Sequence, residues 1–77
     1  MKPLTAVQQE TFEFIKRFIE QFGYAPSFEE MRIGLCYASK SAVAYQLVML
    51  EQAGYITRKP RKARAIWVNT EALRTST

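Results

Sequence analysis

Ser27-Phe28-Glu29-Glu30-Met31-Arg32-Ile33-Gly34-Leu35-Cys36-Tyr37-Ala38-Ser39-Lys40-Ser41-Ala42-Val43 contains two helix starts with almost no room between them. Ser27 followed three positions later by Glu30 is a capping box, in which each side chain satisfies the other residue's backbone N–H. The helix it opens is expected to be short, because Gly34 and the polar cluster at Ser39 follow soon. Phe28, Met31 and Leu35 step by three and four and form its predicted core face. Ser39 is the predicted cap of the next helix, in which Val43, Leu47 and Leu50 make the buried stripe and after which Gly54 stops the chain from continuing as helix. The turn between the two, roughly residues 36–38, is only a few residues long. Two helices joined this tightly are the sequence pattern of a helix-turn-helix.

On the N-terminal side, Thr5 and Gln8 repeat the capping-box spacing and open a helix over roughly Ala6 to Phe22. Val7, Phe12 and Phe14 are apolar, and Ile15, Phe18, Ile19 and Phe22 step by three and four along one face. Glu13 with Arg17, and Lys16 with Glu20, are spaced for pairing on the solvated face. Gly23 ends the helix and Tyr24-Ala25-Pro26 is a connector. On the C-terminal side the period changes. Tyr55-Ile56-Thr57-Arg58 and Ala65-Ile66-Trp67-Val68-Asn69 are β-branched and aromatic enough for two short strands, with Pro60 breaking the first. The expected fold is mainly α with a small β-hairpin, a three-helix winged helix-turn-helix. Its predicted domain spans residues 1–69, followed by a flexible C-terminal end over 70–77.

Composition narrows the function. The chain has 77 residues, room for one small domain, and such a domain buries only about 60% of the surface of its unfolded chain. With no histidine and one cysteine, Cys36, an internal disulfide and a Cys/His zinc site are both excluded. No apolar run approaches the ~20 residues of a membrane span, and no export signal, membrane partner or cofactor is expected. No metal cluster or Gly-rich phosphate loop suggests an enzyme. The net charge of +4 is uneven: residues 1–57 carry −1 and residues 58–77 carry +5. Five of the seven residues Arg58–Arg64 are basic. Alone, that run reads equally well as a solvated loop or as a phosphate contact on a turn.

Several motifs resemble the DNA-binding domain of the LexA repressor family. Leu4-Thr5-Ala6-Val7-Gln8 is similar to that family's opening Leu-Thr-x-x-Gln. Gly23-Tyr24-Ala25-Pro26-Ser27 is similar to its Gly-x-x-Pro-[Ser/Thr] connector. Leu35-Cys36-Tyr37-Ala38-Ser39 matches its Leu-Gly-[Phe/Tyr]-x-Ser turn, and Ala53-Gly54-Tyr55-Ile56 matches the approach to its wing. The match runs without gaps from about Met1 to Val68.

The resemblance implies a bacterial or phage-encoded cytoplasmic regulator that binds double-stranded DNA. It also implies two copies on a palindromic site and is compatible with a monomer when free. The family's self-cleaving Ser/Lys domain is expected to be absent from this chain. An excised domain and a stand-alone regulator both remain open. A second reading is a protein-interaction module, such as a mobile-element protein acting on a host repressor or replication protein, with Val48 and Met49 as its surface.

A helix over about 40–53 would read the major groove, and a wing over 58–64 would follow the backbone or minor groove. Ser39, Lys40, Ser41, Ala44 and Tyr45 are the expected DNA contacts on the helix, with capping the chief role of Ser39. Lys59, Arg61, Lys62 and Arg64 are those on the wing. Four phosphate contacts would add roughly −4 to the log–log salt slope, at about −0.9 each. Better-known members of the family carry Asn, Glu and Glu where this chain has Ser41, Ala44 and Tyr45. The family's CTG-containing operator is therefore not the expected best site. Two further departures bear on the fold. Cys36 replaces a turn glycine and is expected at positive φ. Arg32 replaces a small buried alanine and is expected to snorkel to the surface or reach a phosphate, with Gly34 compensating by loosening the end of its helix.

Overall fold

Thr5 fixes where the first helix begins. Its Oγ1 accepts from the Gln8 N–H at 3.2 Å, while its own N–H donates to Gln8 Oε1 at 3.0 Å. From there α1 runs Ala6–Phe22, and Gly23 closes it in the left-handed conformation (φ 80°), where glycine carries no Cβ penalty. The computed structural model describes residues 3–59 and 64–69. The helix α2 spans Phe28–Gly34 behind the Ser27–Glu30 capping box, and α3 spans Lys40–Gln52 behind Ser39. Strands β1 (Ile56–Arg58) and β2 (Ile66–Val68) pair antiparallel, with Ile56 opposite Val68, Thr57 opposite Trp67 and Arg58 opposite Ile66. Three helices followed by a two-stranded hairpin form a winged helix-turn-helix. The expected break at Pro60 and the expected flexible end over 70–77 lie outside the described residues.

The core joins all five elements. Phe12 and Ile15 of α1, Met31 of α2, Val43, Leu47 and Leu50 of α3, and Ile56 and Ile66 of the hairpin are buried together. Each such side chain contributes about 1.5–3 kcal/mol on leaving water. The predicted stripe of α3 is therefore the buried one. Two predicted core positions are not. Phe28 is 36% exposed because it opens α2, at the helix end beyond the core cluster. Phe22 is 49% exposed at the last position of α1, where its ring packs on Phe18 and Tyr24 instead. Thr11 takes a core place that a polar residue did not advertise. It is fully buried, with its hydroxyl donating to the Val7 carbonyl at 2.9 Å. That hydroxyl has one hydrogen, so its second partner, the Tyr37 phenol, must be the donor in their bond.

The chain from α2 to α3 turns on Cys36. Its φ is 59°, the left-handed value expected for a residue in a glycine's place. The Tyr37 N–H reaches back to the Arg32 carbonyl (2.9 Å) and the Cys36 N–H to that of Ile33 (3.3 Å). These two bonds form a Schellman motif, which satisfies the last carbonyls of the helix. The same pair recurs after α3, from Tyr55 to Leu50 (3.0 Å) and from Gly54 to Glu51 (3.1 Å), with Gly54 at φ 89°. Gly34 does not loosen α2: it is the last helical residue, and its missing Cβ leaves the space that the Phe14 ring of α1 occupies. Arg32 stays at the surface, bonded to Glu29 one turn back. On α1, Glu13 pairs with Lys16 (3.4 Å), and Arg17 reaches the Glu13 carbonyl.

Candidate nucleic-acid interface

The outer face of α3 follows from its inner one. At 100° per residue, Ser41, Ala44, Tyr45, Val48 and Gln52 fall opposite Val43, Leu47 and Leu50. Ser41, Tyr45 and Gln52 are exposed, Tyr45 by 62%, while Ala44 and Val48 are half-covered. Lys40 is exposed in the first turn. Ser39 is extended (φ −153°, ψ 162°), and its Oγ accepts from the Ala42 N–H at 3.3 Å. Capping therefore uses an oxygen lone pair and leaves the hydroxyl hydrogen to donate elsewhere. Gln52 is not among the expected contacts, which lie toward the helix N-terminus. The helical period itself places Gln52 on this face.

Only one acidic side chain, Glu51, stands on α3, and it is paired with a cation. Arg58 of β1 donates to Glu51 Oε1 at 3.3 Å and so ties the first strand of the hairpin to the helix. Directly after β1, Lys59 is exposed and its N–H donates to the Ala65 carbonyl (3.0 Å). Arg61 and Lys62 lie outside the described residues. Asn69 braces the open end: its amide donates to the Gly54 carbonyl (2.7 Å), and its oxygen accepts from the Thr57 hydroxyl (2.8 Å).

Arg64 folds onto the body. It sits at φ 62°, and its guanidinium makes two parallel bonds to the Glu30 carboxylate, Nη1 to Oε1 (2.6 Å) and Nη2 to Oε2 (3.0 Å). Nη1 also donates to the Ala25 carbonyl (3.1 Å), and the guanidinium carbon lies 4.7 Å from the centre of the Tyr24 ring. The Arg64 hydrogen bonds, with help from the Ser27 backbone N–H, hold the Glu30 carboxyl down to about 2. The hydrogen bond from Arg32 lowers Glu29 as well. No sequence signal joins Glu30 to a residue 34 positions away.

A groove of about 520 Å³ runs between the C-terminal half of α1 and β2, lined by Ile19, Tyr24, Ile66, Trp67 and Val68 with Lys16 and Glu20 beside them. Its lining includes no residue of α3. Among the described residues no His, Cys, Asp and Glu side chains gather to hold a metal ion. No described helix is long and apolar enough to cross a membrane.

Comparison with known proteins places the chain in a family. A family model described as the LexA DNA binding domain matches residues 1–65. The chain is 41% identical to the LexA repressor of Staphylococcus epidermidis over 73 residues, covering 95% of this chain and 35% of that protein. It is 46% identical to the LexA repressor of Erythrobacter litoralis over 63 residues, covering 82% and 27%. It is 44% identical to that of Bacillus mycoides over 66 residues, covering 86% and 32%. The chain thus spans about a third of the length of these curated relatives, and the family match is to a DNA-binding domain.

Proposed function

Because this chain belongs to the LexA DNA-binding domain family, we propose that it is a sequence-specific, double-stranded DNA-binding transcriptional repressor that lays α3 in the major groove. The observation that carries this reading is the division of α3 into two faces. Val43, Leu47 and Leu50 are wholly buried, while Ser41 and Tyr45 stand free on the opposite side beside the exposed Lys40. Base edges are read by side chains on such an outward face, and each good contact is worth about 1–3 kcal/mol of discrimination. Ser39, Lys40, Ser41, Ala44 and Tyr45 meet DNA from the helix. Ser41 is the principal polar reader, Ala44 meets a thymine methyl, and Tyr45 meets a base or sugar. Lys59, Arg61 and Lys62 of the wing meet phosphates. Two copies occupy a palindromic site in the cytoplasm of a bacterium, and the chain itself has no catalytic role.

The alternative reading, a protein-binding surface built on Val48 and Met49, has less support. Both are half-buried, and neither is among the large exposed apolar side chains. Selection of bound duplexes from a random pool, followed by a salt titration, tests the proposal. It expects an enriched palindrome and binding that weakens steeply with salt. Recovery of unenriched sequences with salt-independent binding would sink it.

A further inference from the structure

We propose that Arg64 is a positioning residue of the wing, which aims the connecting segment by clamping its root to α2, rather than a ligand of the DNA phosphates. The inference rests on the DNA-binding reading above and deepens it. Three observations carry it. First, the guanidinium is already engaged: both parallel bonds reach Glu30, a third reaches the Ala25 carbonyl, and its face covers Tyr24. A fork of this kind is directional and holds a carboxylate in one orientation. Second, Glu30 is not a free surface carboxylate. The oxygen that accepts from Arg64 also accepts from the Ser27 N–H at 2.8 Å and so completes the N-terminal cap of α2. The wing root is therefore joined to the start of the same helix whose other end turns directly into α3. Third, Arg64 holds a left-handed backbone, which an L-residue keeps only when its surroundings impose it.

The two roots of the hairpin loop are thus anchored separately. Arg58 binds Glu51 of α3 before the loop, and Arg64 binds Glu30 of α2 after it. One root alone would tie the hairpin to a single helix. Two roots, tied to the two helices of the helix-turn-helix, fix its direction relative to the face that reads DNA. The basic run therefore divides into residues that aim the wing and residues that meet the backbone.

The test compares Arg64→Ala, Glu30→Gln and the double variant with the parent chain. Their affinities are measured on the duplex selected with the parent chain, across a salt series, with folding checked by circular dichroism. The parent chain alone tests the DNA reading. If it binds no duplex, that reading fails, and this inference with it. If it binds, Arg64→Ala should weaken binding about tenfold at every salt concentration, with the salt slope unchanged. Glu30→Gln should weaken it comparably, although removing an acid from a DNA-binding protein by itself favours binding. The double variant should be no weaker than Arg64→Ala. A salt slope shallower by about 0.9 for Arg64→Ala, with Glu30→Gln neutral or tighter, makes Arg64 a phosphate ligand and overturns the proposal. Should Arg64→Ala fail to fold, Glu30→Gln decides alone, since glutamine retains the α2 capping box.

Discussion

Tyr37 donates its phenolic hydrogen to Thr11, 26 positions earlier in the chain, and so ties the helix-turn-helix turn to the middle of α1. Thr11 is able to accept because its own hydrogen goes to the Val7 carbonyl. Removing the phenol in Tyr37→Phe leaves Thr11 with that carbonyl. The cost should be that of one hydrogen bond, about 1 kcal/mol. Urea denaturation of the two proteins measures it, and an unchanged midpoint would mean that the contact contributes nothing.

Cys36 occupies the left-handed position of a Schellman motif whose twin at the end of α3 holds glycine. A left-handed L-residue costs roughly 1–2 kcal/mol, whereas glycine's greater freedom in the unfolded chain takes back part of that difference. Cys36→Gly should therefore raise stability by about 1 kcal/mol. A lower melting temperature would show that the cysteine side chain makes a compensating contact.

Opposite faces of α3 should answer differently to truncation. Leu47→Ala removes a fully buried side chain and should cost about 2–5 kcal/mol, enough to unfold much of so small a domain. Tyr45→Ala should leave stability within about 0.5 kcal/mol and change the sequences recovered by DNA selection. Loss of folding in Tyr45→Ala would place that ring in the core.

The Glu30 carboxyl, held at about 2 by Arg64, has an acid-side consequence. Its folded value lies below its unfolded value of 4.5, so the folded state is the weaker proton binder. The stabilisation is complete above pH 4.5 and is lost as pH falls toward 2. Stability profiles of the parent and Glu30→Gln should run parallel above pH 5, and the parent should fall more steeply below. Profiles parallel throughout would show that the clamp adds no net stability.

Lys59 is exposed at the start of the wing. Lys59→Ala should reduce the magnitude of the salt slope by about 0.9 and weaken binding alike on selected and random duplexes. A loss confined to the selected duplex would assign Lys59 to groove shape or base recognition.

Local chemistry made most of this fold legible. The capping pairs Thr5–Gln8 and Ser27–Glu30, the stop at Gly54 and the 3–4 spacing of Val43, Leu47 and Leu50 each act within a few residues, so their geometry is written beside them. The positive φ of Cys36 was legible for the same reason. What the pattern did not show depends on tertiary contact. Thr11 is buried because a phenol from the turn meets it, and Phe28 and Phe22 are exposed because helix ends run past the core. Arg64 looked like any basic residue of a charged run. Only the folded chain brings Glu30, Ala25 and Tyr24 around it.

The two-faced character of α3 has a further consequence. Folding is written on Val43, Leu47 and Leu50, and under the proposed function DNA preference falls to the positions across from them, within the same thirteen residues. Substitutions on one face need not disturb the other. A scaffold of this kind can change its vocabulary without relearning how to fold, so if Ser41, Ala44 and Tyr45 read bases as proposed, related regulators sharing a cell could diverge to non-overlapping sites by altering those positions.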